Sequence, residues 1–293
     1  TQGVSSAASD VYKRQGMEVT RLGYGAMALR DTSNQISETI LNEVIDHGVN
    51  FIDTSNDYGN SEEMIGKFIS HRRSEYFLAT KCGCPSAGGD HIWTRQNLFR
   101  GLHESLKRLN TDYIDLMQLH NATVDDVDQG GLIDLLEEMR QQGKVKWIGS
   151  SSISPNIETF IKRGDFDEYQ IPYSGLDRDH EKIISDASAS GAGTVIRGGV
   201  QQGEPGPNSR GRPDKWEQFE SAQLDDLMDN GESRTGFLLR YTMTHPDIDT
   251  IIVGTKNSEH LMDNIQMVQR GPLPEDIYIE AKDRLITAIG PSS

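Results

Sequence analysis

The sequence predicts a closed (β/α)8 barrel built as a single domain over residues 16 to 293. Three observations lead there. From Gly16 onward, eight short β-rich runs alternate with helical patterns, the signature of βαβ units and a parallel sheet. No GxGxxG turn follows the first run, as it would in a doubly wound dinucleotide-binding sheet. No Pro/Gly/Ser linker divides the chain, and 293 residues suit one α/β barrel.

The strands are expected at VTRLGYG (19 to 25), NFIDTS (50 to 55), YFLATK (76 to 81), YIDLMQLH (113 to 120), KWIGSSS (146 to 152), EYQIPY (168 to 173), GTVIRG (193 to 198) and DTIIVGT (249 to 255). Between them lie helical patterns such as SETILNEVIDHG (37 to 48), RQNLFRGLHESLKRLN (95 to 110) and GLIDLLEEMRQQG (131 to 143), whose apolar residues recur at helical spacing. Gly48 and Gly143 stand where a helix C-terminus needs a left-handed residue. A last helical pattern covers 274 to 289. The polar tract QQGEPGPNSRGRPDKW (201 to 216) falls between the seventh strand and its helix, on the face where barrels carry lids. Residues 1 to 15 contain SSAASDVYKRQ, which resembles translated sequencing adapter. They read as a non-native tail, at most a hairpin strand recruited against 17 to 20.

A net charge of −16 argues against nucleic acid or an anionic membrane surface as the main partner. No stretch approaches the roughly 20 apolar residues that span a bilayer, and the chain reads as cytoplasmic. Cys82 and Cys84 are too few for a four-ligand structural zinc site and are expected to be free thiols. The eight histidines show no HExxH or comparable spacing, so no metal ligand is assigned.

Three apolar runs end in ionisable residues: NFIDTSNDYG in Asp53 and Tyr58, YFLATK in Lys81, YIDLMQLH in His120. In a barrel every strand's C-terminal end opens on one face, so these groups converge there. Alternation places Phe51 with Asp53, Phe77 and Ala79 with Lys81, and Leu116 and Gln118 with His120 on inward columns. A lysine beside a tyrosine lowers the phenol's pKa toward neutrality, Asp53 lets Lys81 stay charged, and His120 can orient a substrate oxygen. The set can polarise a carbonyl and give it a proton, but it contains no reductant. Nicotinamide is the usual source of hydride.

These segments resemble the aldo-keto reductase superfamily, and the likeness runs from Gly16 to about Asn264. The resemblance implies that Asp53, Tyr58, Lys81 and His120 are a catalytic tetrad, with Tyr58 the general acid, Lys81 and Asp53 its tuning pair and His120 the carbonyl's orienting group. GYGAMAL resembles the stretch that touches nicotinamide, which implies Gly25, Ala26 and Met27. IGSSS resembles the segment whose polar pair holds the carboxamide: Ser151 matches, and Ser152 stands where asparagine is usual. Gln170 matches the glutamine of the same grip. IIVGTKNSEHLMDN resembles the adenosine-phosphate site, which implies Gly254, Thr255, Lys256, His260, Asp263 and Asn264. Arg197 occupies the place where many members carry a tyrosine that stacks on nicotinamide, and a planar guanidinium can stack or reach a phosphate.

Lys256 and His260 are basic candidates for an adenosine 2′-phosphate, so the expected cofactor is NADPH. Arg210 and Arg212 could close over the pyrophosphate. Members of the resembled family that are choosy about steroids or sugars usually carry a longer C-terminal loop, and this chain stops within four residues of its last helical pattern, so the resemblance implies an open pocket and a broad preference for small aldehydes or ketones. The readings from other classes are a nicotinamide-binding regulatory barrel with little turnover and a barrel isomerase or dehydratase using Lys81 and His120 without hydride.

Overall fold

The computed structural model describes residues 9 to 11, 16 to 85, 89 to 206 and 210 to 290. Eight parallel strands close into a barrel: β1 (Leu22–Gly25), β2 (Phe51–Asp53), β3 (Phe77–Cys82), β4 (Ile114–His120), β5 (Val145–Ser151), β6 (Glu168–Pro172), β7 (Gly193–Arg197) and β8 (Thr250–Val253). Each strand pairs with the next in sequence and β8 pairs with β1, the order that right-handed βαβ crossovers produce. The helices that matter to the site are α1 (Asn34–Asp46), α2 (Ser61–Phe68) and α3 (Arg95–Leu109), followed by α4 (Val124–Gly130) and α5 (Leu132–Gln141). The second half supplies α6 (Asn156–Arg163), α7 (Glu181–Ala189), α8 (Pro213–Ser221), α9 (Arg234–Met243), α10 (Ser258–Arg270) and α11 (Glu275–Ile289).

Local chemistry sets the helix limits. Ser33, Thr94 and Asn257 cap α1, α3 and α10 with side-chain oxygens that accept from first-turn amides. Gly48 and Gly143 are left-handed as expected, and Asn110 ends α3 in the same conformation. One expected element divides. The run 19 to 25 becomes a short strand Glu18–Thr20 and then β1, because Arg21 turns the chain and anchors it, its guanidinium donating to the carbonyls of Ile248 and Met243. Glu18–Thr20 pairs antiparallel with Ser9–Val11, the hairpin recruitment anticipated for the tail, whose other residues lie outside those described. Asn50 ties this hairpin to the start of β2, accepting from Thr20 N at 2.8 Å and donating to Glu18 O at 2.9 Å.

The barrel interior is filled from that end. Met17 and Val19 pack with Phe51, Ala79, Leu116 and Val195, with Phe77, Trp147 and Ile252 partly buried against them. The layer between strands and helices carries the larger apolar core, including Ile40, Leu78, Leu102, Met117, Ile148, Tyr169 and Ile196. A separate cluster of Trp216, Phe219, Phe237, Leu238, Tyr241 and Leu285 fastens the C-terminal helices together.

One interior layer departs from apolar filling. Glu168, on β6, is fully buried, and neither carboxylate oxygen has a hydrogen-bond partner. Burial and the nearby charge of Asp53 hold its carboxyl well above the usual carboxylate range, so it stays neutral. Its register partner on β5 is Gly149, where a Cβ would lie 2.2 Å from Glu168 Oε2. The glycine is there for space.

Gly149→Ala is therefore expected to destabilise the fold by about 1 to 3 kcal/mol, the usual cost of overpacking, measured as a lowered urea midpoint. Because Glu168 ionises more readily unfolded than folded, its presence lowers stability as pH rises above its unfolded pKa. Glu168→Gln should gain on the wild type as pH rises above the unfolded pKa of Glu168, by at most about 1.4 kcal/mol per pH unit. A pH-independent difference between the two would contradict this assignment.

Candidate active site

The C-terminal ends of β1 to β7 deliver most of the sequence-predicted residues to one rim. Asp53 ends β2, Lys81 lies one residue before the end of β3, and His120 ends β4. Ser151 and Arg197 end β5 and β7, and Gln170 lies within β6. Asp53 is the hub. Its carboxylate takes both oxygens to Lys81 Nζ, at 2.9 and 2.7 Å, while Oδ1 also accepts from Gln118 Nε2 at 3.0 Å and Gln170 Nε2 at 2.9 Å. Lys81 also donates to Thr54 O at 2.8 Å. Both charges are almost fully buried, at 2% and 1% exposure, and the ammonium also interacts with the Tyr58 hydroxyl. That satisfaction is the condition under which a buried pair is tolerated.

Tyr58 arrives on the turn between β2 and α2. Tyr58 N donates to Ser55 O, and Ser61 Oγ anchors the start of α2 on Ala26 O at 2.8 Å. Gly59 follows at φ +53°, where a Cβ would meet Arg30 O at 2.5 Å, so the turn that aims Tyr58 needs glycine. The Lys81 ammonium lies 5.0 Å from the Tyr58 ring centre, and the His120 ring meets Tyr58 edge-on at 6.2 Å. Burial drives the phenol's pKa up, and Lys81 opposes it without winning, so the net shift is upward. The sequence expectation had the opposite net direction. It considered the cation but not the depth of the pocket that holds both groups. Burial alone would lower Lys81, but Asp53 and Tyr58 together outweigh it and the ammonium is held above its ordinary value. His120 goes the other way: burial, with the Lys81 charge, pushes it down to about 4 and leaves it neutral near pH 7.

The residues expected around a cofactor divide into two groups. Near the hub, Ser151 Oγ donates to Gln170 Oε1 at 2.9 Å, and Gln170 passes the chain on to Asp53. Ser152 is buried beside them. Arg197 is mostly buried with its Nε unpartnered, and burial lowers its pKa. On the far side, Gly25 and Gly254 bring β1 and the segment after β8 into backbone contact: a Cβ on Gly254 would lie 2.4 Å from Gly25 O. Ala26 and Met27 open the short turn after β1, and Tyr24 Oη donates to Thr255 O at 2.7 Å. Lys256 and His260 are exposed at the start of α10, and Asn264 is buried on it. Asp263 is already occupied, accepting from Ser233 Oγ at 2.7 Å. Lys256 lines an open cleft of about 640 Å³ with Asp31, Thr32, Ser33, Ile36, Asn257, Ser258 and Glu259. Of the two loop arginines, Arg212 bonds Asp214 at 2.7 Å and Arg210 is exposed.

A family model for the aldo/keto reductase family matches residues 21–283. The chain belongs to that family. Like other aldo/keto reductases it is an oxidoreductase, and members generally use nicotinamide cofactors. It is 30% identical to the Bacillus subtilis oxidoreductase YqkF, over 89% of this chain and 90% of that protein. It is 26% identical to L-galactose dehydrogenase of Arabidopsis thaliana, over 86% and 85%. The holo form of aldo-keto reductase AKR11C1 from Bacillus halodurans superposes with a TM-score of 0.85 at 28% identity, covering 97% of each chain. No helix among the described residues is long and apolar enough to cross a membrane.

The sequence reading of this aldo/keto reductase missed several groups. Gln118 was visible on the inward column of β4 but was not assigned to the site, although it bonds Asp53 directly. Cys84 and His91, on the β3–α3 loop, carried no local signal, yet Cys84 Sγ lies 3.1 Å from His120 Nδ1. Both cysteines are free, and burial pushes the Cys84 thiol up to about 12.

The hub predicts an asymmetry. Lys81→Met leaves Asp53 with its two glutamine donors, whereas Asp53→Asn leaves a buried ammonium without a counter-charge. The second change should cost about 3 to 5 kcal/mol of stability and the first clearly less, measured by urea denaturation. Equal losses, or the reverse order, would argue against Asp53 as the shared acceptor.

Proposed function

We propose that the protein reduces small aldehydes or ketones to alcohols with NADPH, using Tyr58 as general acid, Lys81 and Asp53 as the pair that tunes it, and His120 as the group that orients the carbonyl. The observation that carries this reading is the buried Lys81–Asp53 pair directly beneath a protonated phenol. An acid for carbonyl reduction must still hold its proton at working pH, and the upward shift of Tyr58 keeps it. When the proton leaves, the phenolate sits against the Lys81 ammonium, which is fixed in place and therefore needs no reorganisation. His120, neutral near pH 7, can share an N–H with the carbonyl oxygen without placing a second cation beside Lys81.

The side chains present fit a nicotinamide nucleotide. Arg197 offers a buried, unpartnered N–H, and Gly25 and Gly254 leave their strand ends free of side chains. Ser151, Ser152 and Gln170, with Ala26 and Met27, would border the nicotinamide. Thr255, Lys256, His260, Asp263 and Asn264 would take the adenosine end, next to the capped N-terminus of α10. When bound, the cofactor supplies the hydride that no side chain here can provide. Asp31 and Glu259 line the same cleft as Lys256, so the ratio of affinities for NADPH and NADH is the relevant measurement.

Loss of NADPH absorbance on adding 4-nitrobenzaldehyde should be fast in the wild type and about 100- to 10,000-fold slower in Tyr58→Phe, the span of a general acid's contribution. Wild-type rates in the variant would remove Tyr58 from the role, and a reaction without cofactor oxidation would favour an isomerase. The reduction rate should be level from about pH 5 to 9, since His120 is neutral and Tyr58 protonated throughout, and should fall as pH approaches 4. NADPH should bind more tightly than NADH. Lys256→Ala should shrink that preference by about tenfold or more, the loss of one charge-assisted contact; equal affinities in the wild type would overturn the NADPH assignment.

A further inference from the structure

We propose that Cys84, His91 and His120 form a Zn2+ site at the mouth of the barrel, and that occupancy shuts down carbonyl reduction by engaging His120. The three ligand atoms, drawn from the β3–α3 loop and the end of β4, all lie within 4.8 Å of one another. Cys84 Sγ is 3.1 Å from His120 Nδ1, and the two imidazole rings meet at 5.3 Å. A tetrahedral zinc with ordinary Zn–S and Zn–N bonds separates its sulfur and nitrogen ligands by about 3.6 Å. The cluster is therefore within small side-chain adjustments of coordination geometry.

Three further features favour a metal over a chance meeting. His91 is held in place by stacking on Trp93, 5.4 Å centre to centre and 8° from parallel. Asp57 brings a carboxylate oxygen to 3.8 Å from the same His120 nitrogen, and its 37% exposure gives solvent a way in. It can supply the fourth ligand or leave that position to water. One thiolate, one carboxylate and two imidazoles also balance the charge of Zn2+, which suits a partly buried place beside Lys81. On binding, the Cys84 S–H bond breaks, its proton goes to solvent and a Zn–S bond forms; no electron is transferred. A borderline-soft ion that accepts sulfur and nitrogen together is selected over Mg2+ or Ca2+.

Coordination through Nδ1 fixes the His120 ring to the metal and places the ion's remaining ligand in the space where a carbonyl would dock. The inhibitory consequence rests on the role proposed for His120, whereas the metal site does not. Titration with CoCl2, which reports its ligands by colour, separates the two. One equivalent should give an intense tetrahedral spectrum with a thiolate-to-cobalt charge-transfer band. That band should vanish in Cys84→Ser, and His91→Ala should bind at least tenfold more weakly. Absence of the band in the wild type, or its survival in Cys84→Ser, overturns the site. ZnCl2 should then inhibit NADPH oxidation in the wild type, with at least a tenfold higher half-inhibitory concentration in Cys84→Ser, each variant compared with its own metal-free rate. Cobalt binding with the expected spectrum but undiminished turnover in zinc would overturn the inhibitory claim. A wild type that never oxidises NADPH would instead sink the proposed function and leave the site to be judged on its spectrum.

Discussion

The carboxylate of Asp53 is the constraint on which the barrel mouth depends. It takes hydrogen bonds from side chains on β3, β4 and β6 while lying itself on β2, so four strands share one buried anion. An anion in that position must be matched, and Lys81 is the match; an ammonium in that position must also be matched, and Thr54 O accepts from it as well. The closure of the barrel and the electrostatics of the site are therefore one arrangement. The turn that carries Tyr58 begins from the same strand end, which is why the phenol comes to lie against a charge whose position is already fixed.

Beneath this layer the interior changes character within one strand step. Gln170 points to Asp53, and two residues earlier on the same inward column Glu168 has no partner and keeps its proton. Two ionised carboxylates stacked so closely in a low-dielectric interior would repel strongly, and neutralising the deeper one is the cheaper solution. Gly149 then follows from Glu168 rather than from any need for backbone freedom, since the space a Cβ would fill is already taken by the carboxyl.

How much of this the sequence disclosed depends on the range of the signal. Charged ends on apolar strands are a local pattern, and in a parallel barrel topology alone carries them to one rim, so Asp53, Lys81 and His120 could be placed together without coordinates. The closed barrel and its single domain were legible for the same reason. The break at Arg21 was not, because it is made by carbonyls more than two hundred residues away. Register is likewise invisible in one sequence, so neither the Gly149–Glu168 pair nor the commitment of Ser151 and Gln170 to the Asp53 network could be read. The direction of the Tyr58 shift failed differently: its neighbours were named correctly, but the depth of burial is a property of the whole fold.

The same argument bears on His120. Lys81 and burial keep its ring neutral, and a neutral imidazole is both a hydrogen-bond partner for a carbonyl and a ligand for a metal. The property that suits it to the proposed reaction therefore exposes it to competition whenever donors gather nearby, as Cys84, His91 and Asp57 do. Protonating His120 would remove the lone pair a metal needs while leaving N–H donors for a carbonyl, and burial together with the charge of Lys81, itself held by Asp53, opposes that protonation. The charge of the buried pair thus acts, alongside burial, on both the Tyr58 phenol and the His120 ring.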